Sequence, residues 1–320
     1  MKKILAFSFL SFFMFAAQAG VGTQNVILQK GQLEGQSIKR NVPSLLSTRV
    51  ERYQAKLKGV PFVEPNELYF PSYIRIKGGS TVTESVFNEV IQHLSEIYVP
   101  VVQKLGAQLE IVGDWEDATV NAVATRDQGL WKVNVAGGIA RAPKMTKNAL
   151  VHIICHEIGH QIGGAPRMAL YGGWPSSEGQ ADYWSGAKCL KRYYQKFRHE
   201  GEIHGNLPEK AKNQCQSQFA ATEDREICLK VISTAVEFGK FLDTLNPKKD
   251  PISFDTPDSR IVKGTNINDY PRPQCRFDTL YSAALCTVNP QDLNSPESVE
   301  ASNCNDQNRL GARPRCWYKP

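Results

Sequence analysis

The chain has 320 residues, 41% of them hydrophobic, with 38 Lys and Arg against 32 Asp and Glu and a net charge of +6. A chain of this length buries a full core as one large domain or two lobes. The basic excess is mild and spread along the chain rather than gathered in a patch, which argues against a nucleic-acid partner.

The first 19 residues join Lys2 and Lys3 to an apolar run from Ile4 to Ala17 and then Ala17-Gln18-Ala19, the layout of a signal peptide cleaved before Gly20. The run is too short for a membrane helix, and no later segment reads as a span. Loss of this leader leaves residues 20–320 with a charge of +4 and all eight cysteines. A secreted or periplasmic location with oxidised cysteines follows. The expected bridges join sequence neighbours: Cys275–Cys286, Cys304–Cys316 and Cys215–Cys228. No Cys-x-x-Cys is present, which argues against a cysteine zinc knuckle or a thioredoxin-like site.

Residues 20–60 read as a polar N-terminal extension, and 67–79 as a strand ending at Gly78-Gly79. Val86, Phe87, Val90, Ile91, Leu94, Tyr98 and Val102 recur at helical spacing behind Thr81 or Thr83 as a cap. Pro100 is expected to kink this helix, and His93 to face solvent. Strands follow at 108–115, 119–125 and 130–138, the last two joined by a tight turn at 126–129. These make a small mixed sheet in a lobe over 61–165. Residues 166–320 read as a mainly helical lobe carrying the disulfides, with one helix over about 222–245. The fold class is α+β.

Three of the six histidines, His152, His156 and His160, lie four apart in an apolar helix capped by Thr146 and ended by Gly163-Gly164. Residues four apart on a helix point about 40° from one another, so His156 and His160 can grip one ion. His152 is two turns from His160 and reads as a packed histidine. Cys155 points about 100° away from His156 and reads as a buried or bridged cysteine. Glu157 sits at the edge of the same face, placed as a general base rather than a ligand. Catalytic zinc takes three protein ligands. Glu178 supplies the third, in the first turn of a helix that Ser177 and Gln180 would open as a capping box. Asp182, one turn on, is placed to accept the free ring N–H of a ligating histidine.

His-Glu-Ile-Gly-His over 156–160 and Glu-Gly-Gln-Ala-Asp over 178–182 together resemble the gluzincin metallopeptidases. Residues 121–138 resemble the Asn-Ala strand and edge strand that precede the active helix in that group. The resemblance covers about 115–195. It implies a zincin-like core, one Zn²⁺ on His156, His160 and Glu178, and peptide-bond hydrolysis. Glu157 is then the general base activating a zinc-bound water.

Arg276 and Tyr281 are the candidates for stabilising the transition state, both held by the expected Cys275–Cys286 bridge. Val135, Ala136 and Gly137 are the candidate edge strand for a substrate backbone. The partner is then a polypeptide or a cell-wall peptide. Two other readings stay open: a hydrolase of peptidoglycan stem peptides, and a non-catalytic disulfide-stapled binding protein on the same scaffold.

Overall fold

The computed structural model of the chain describes residues 59–74, 79–245 and 251–320, all within the unit Gly35–Pro320. The expected leader, most of the 20–60 extension, Gly78 and the residues 246–250 lie outside the described residues. The fold is α+β, a small mixed four-stranded sheet with helices and four disulfides. No helix among the described residues is long and apolar enough to cross a membrane.

Helix α1 (Glu84–Lys104) starts at Thr83, whose hydroxyl accepts from Val86 N at 3.3 Å. It buries the stripe Phe87, Val90, Leu94, Tyr98 and Val102 and continues through Pro100. His93 is half-buried rather than solvated, its ring stacked on Phe197 with centroids 3.8 Å apart. The described part of 67–79 makes only the bridge Tyr69↔Thr119. Pro71 has no N–H with which to extend a ladder.

The sheet contains β1 (Val60–Pro61), β2 (Gln108–Asp114), β3 (Ala122–Asp127) and β4 (Leu130–Ala136), in the order β1-β3-β4-β2. Strands β3 and β4 form a hairpin through Gln128 and Gly129, both with positive φ, 41° and 85°. Strand β2 runs parallel to β4 along its whole length, from Gln108↔Leu130 to Asp114↔Ala136. The edge assignment of Val135, Ala136 and Gly137 is therefore corrected. Val135 and Ala136 lie in a strand paired on both sides, and Gly137 opens α2 (Gly137–Arg141). The outer edge of β3 takes β1, antiparallel, with Val60 opposite Ala124 and Pro61 opposite Val123.

Helix α3 (Lys147–Ile162) is capped by Thr146, which accepts from Ala149 N at 3.2 Å. Every residue from Asn148 to Ile162 is buried, so this is a central helix packed on all sides. Next come α4 (Glu178–Trp184), a π-turn (Ser185–Cys189) and α5 (Leu190–Lys196), one continuous helical run. The capping box expected at its start is absent. Ser177 has the N-cap backbone without a side-chain bond. Gln180 instead donates to Gly163 O (2.9 Å) and Asn303 Oδ1 (3.1 Å) and accepts from Arg313 (3.0 Å). Helices α6 (Glu209–Gln218), α7 (Thr222–Leu245) and α8 (Pro273–Ala284) complete the element order. One apolar core draws on both sides of residue 165, including Phe62, Ile154, Trp184, Phe238 and Leu280.

The disulfides are Cys155–Cys189, Cys215–Cys228, Cys275–Cys316 and Cys286–Cys304. The expected Cys215–Cys228 bridge forms; Cys275–Cys286 and Cys304–Cys316 do not. The reason is helical geometry. Cys275 stands in the first turn of α8 and Cys286 just past its last residue, Ala284, so at 1.5 Å per residue the helix alone separates them by about 14 Å. A disulfide needs Cα atoms within about 7 Å. Each cysteine is bridged instead to the C-terminal segment.

Candidate functional site

Helices α3 and α4 cross with their charged residues facing inward. His156 Nε2 lies 3.2 Å from Glu178 Oε2, and His160 Nε2 lies 3.6 Å from Glu178 Oε1. One ligand atom each of His156, Glu157 and His160 falls within 4.8 Å of the others. Four side chains from two helices thus converge on one point.

The second nitrogen of each ring decides what the first can do. His156 Nδ1 sits 2.7 Å from Asp182 Oδ1. Asp182 is itself gripped by Arg276, Nε to Oδ2 at 2.7 Å and Nη2 to Oδ1 at 2.9 Å. His160 Nδ1 sits 2.8 Å from the carbonyl oxygen of Ser176, which can only accept. In both rings Nδ1 therefore carries a hydrogen, which leaves Nε2, on the side of Glu178, as the atom able to bind a cation.

These inward atoms have no hydrogen-bond partner: Nε2 of His156 and His160, and both oxygens of Glu157 and Glu178. All four side chains are 0–1% exposed. Leaving so many buried polar atoms unpaired is costly. The donor set, two imidazoles and a carboxylate, fits a divalent zinc ion, and a cation there satisfies the orphaned atoms together.

Burial and mutual charge shift every titratable group at this point. Burial pushes the Glu157 carboxyl up to about 8, tempered by His156 and the nearby Ala124 backbone. Burial likewise raises Glu178. Burial opposes charge on His156, but Asp182 and Glu178 outweigh it and raise it to about 9, so at neutral pH its Nε2 carries a proton that a bound cation would displace. His160 is lowered by burial, which keeps its lone pair available. Burial disfavours charge on Asp182 too, yet Arg276 and His156 hold it well below the usual carboxylate range. His152 lies outside the cluster. Its Nδ1 meets Ser185 Oγ at 2.8 Å, its ring packs on Phe238, and burial lowers it to about 3.

Of the two candidates on α8, only Arg276 reaches this region. Tyr281 is five positions further, about 140° round the helix; its hydroxyl donates to Gln214 and its ring packs on Phe254 and Phe277. The Tyr281 assignment is corrected. Two groups that periodicity does not reveal lie beside this region instead. Tyr270, in the irregular run before α8, donates its hydroxyl to Pro61 O. Burial and the charges of Glu178 and Glu157 push its pKa up, so it keeps its proton. Asn121, just before β3, clamps Val63 from both sides, Nδ2 donating to Val63 O at 3.1 Å and Oδ1 accepting from Val63 N at 3.4 Å. Its position in the Asn-Ala stretch was the only signal for it.

No family model, curated protein or solved structure matches the chain.

Proposed function

We propose that the protein is a zinc-dependent peptide-bond hydrolase of the gluzincin type, built on a zincin-like core. The observation that carries this reading is the convergence of His156 Nε2, His160 Nε2 and Glu178 on one buried point, with Glu157 beside them and free of any partner. His156, His160 and Glu178 would hold the ion. The chemistry zinc supplies when bound is a positive charge that polarises a carbonyl, makes water more acidic and favours ionised Glu157.

The chain's own residues do the rest. Glu157 takes a proton from the attacking water as its oxygen bonds to the carbonyl carbon. Tyr270 points a hydroxyl at a carbonyl oxygen beside the cluster and would donate to the charge that develops there. As the C–N bond breaks, Glu157 returns its proton to the leaving amine, giving a carboxylate and a free amine. Asp182 and Arg276 hold the His156 ring in its orientation. The outer edge of β3, rather than β4, is where a substrate backbone would pair.

Four disulfides are compatible with action in an oxidising compartment, secreted or periplasmic. The test is cleavage of an unstructured protein by the zinc-loaded chain, followed by mass spectrometry. Cleavage that stops with a chelator and returns with zinc supports the reading. Zinc binding without cleavage, even once residues 60–63 are displaced from the site, contradicts it.

A further inference from the structure

The same site contains a peptide already, the chain's own residues 60–63. Val60 and Pro61 pair antiparallel with Ala124 and Val123 on β3. Phe62 N donates to Ala122 O at 2.9 Å, and Asn121 holds Val63 at both backbone groups. The two carbonyls between are also taken. Tyr270 donates to Pro61 O, and Arg276 Nη1 donates to Phe62 O at 3.2 Å. Four consecutive residues are thus bound through their backbones, in the manner of a strand added to a sheet edge.

The side chain of Phe62 is seated as firmly. Its ring lies edge-on to His156 with centroids 5.0 Å apart, and 5.9 Å from Phe238. The Arg276 guanidinium covers it at 4.5 Å. Val60 and Phe62 are fully buried, and so are the four converging side chains beneath. Gly59 fixes how close this strap comes: a Cβ there would stand 2.3 Å from Ala124 O. A catalytic point with 0–1% exposure of its groups is closed to any external chain while the strap is in place.

We infer that residues 60–63 are an internal ligand of a groove built for extended peptides, and that external peptides enter only when this strap leaves. The inference rests on the peptidase reading in treating the groove as the substrate's. The ligand class follows from what the strap uses: an extended backbone with a large apolar side chain next to the carbonyl that faces Tyr270. The tethered strap lowers the apparent affinity for a free peptide by the fraction of time the groove stands open. Release changes the population of the open state and leaves the groove itself unaltered.

The test uses the full zinc-loaded chain and a fluorescent octapeptide with the sequence of residues 59–66, followed by anisotropy. Two variants displace the strap by different means. Phe62→Asp puts a charge where the ring sits, and Gly59→Val drives a side chain into Ala124 O, Thr125 and Val123 and so forces the backbone off β3. Far-ultraviolet circular dichroism and disulfide mapping confirm the fold of each. At least one folded variant should bind the octapeptide about tenfold or more tightly than the natural chain. The same octapeptide with its Phe replaced by Asp should bind neither. Equal binding by the natural chain and every folded variant, or binding indifferent to the Phe, overturns the inference. Hydrolysis of a longer peptide is read on the same samples. Tighter binding without hydrolysis leaves the internal ligand standing and sinks the peptidase reading; hydrolysis at equal rates by all chains does the reverse.

Discussion

Asp182 Oδ1 stands 2.7 Å from His156 Nδ1 while both Asp182 oxygens are held by Arg276 from a helix 94 residues later. This fully buried carboxylate orients the ring of one candidate ligand and neutralises the guanidinium that covers Phe62. It links the point where His156, His160 and Glu178 converge, helix α8 and residues 60–63 through one side chain.

Asp182→Asn should therefore act at a distance from the ion. An amide can still meet the ring, but it neither sets the tautomer as firmly nor balances Arg276. Zinc affinity should fall by roughly 10- to 100-fold, read by competition with a chromophoric chelator. Unchanged affinity would mean that Asp182 only packs.

Tyr270→Phe removes one hydroxyl and leaves the ring. If that hydroxyl steadies the developing charge, turnover should fall by about 10²-fold or more with zinc content unchanged. The comparison belongs in the Gly59→Val background, where the groove is open. A variant that keeps its kcat assigns Tyr270 to holding Pro61 alone.

Removing the metal should destabilise the fold, because six inward atoms then lack any partner in a buried site. Zinc at about 100 times its Kd contributes roughly 2.7 kcal/mol. The thermal midpoint of the metal-free chain should rise by several degrees on adding zinc, and should not rise in His160→Ala. Equal midpoints with and without zinc would show that these atoms hold no ion.

Cys155–Cys189 ties α3 to the π-turn behind the histidines. The double variant Cys155→Ala/Cys189→Ala should lose about 2–4 kcal/mol of stability, measured by urea unfolding under oxidising conditions. Peptide mapping of the natural chain should return Cys275–Cys316 and Cys286–Cys304; sequence-neighbour pairs would contradict the arrangement of α8.

What was legible in the sequence was local. The spacing of His156 and His160, and the place of Glu178 in a first turn with Asp182 one turn later, are properties of single helices. The crossing that brings His156 to 3.2 Å from Glu178 joins two helices consecutive in the site, linked by residues 163–177. The β3–β4 hairpin was carried by its turn. What depended on distant segments was not legible. Strand β2 pairs with β4, and nothing in the alternation of 130–136 says which neighbour lies on either side. Tyr270 comes from an irregular segment with no period, 209 residues from the Pro61 it meets. The bridge expected between Cys275 and Cys286 failed because nearness in sequence is separation in space along a helix.

The most direct measurement is zinc content and peptide turnover of Glu157→Gln beside Glu178→Gln, both in the Gly59→Val background. Glu157 has the position of a base, so Glu157→Gln should keep about one zinc per chain and lose at least about 10²-fold in rate. Glu178→Gln should bind zinc weakly and recover part of its rate in excess metal. A Glu157→Gln protein that loses its zinc while Glu178→Gln keeps it would reverse the two roles. A Glu157→Gln protein that retains full turnover would contradict the hydrolase itself.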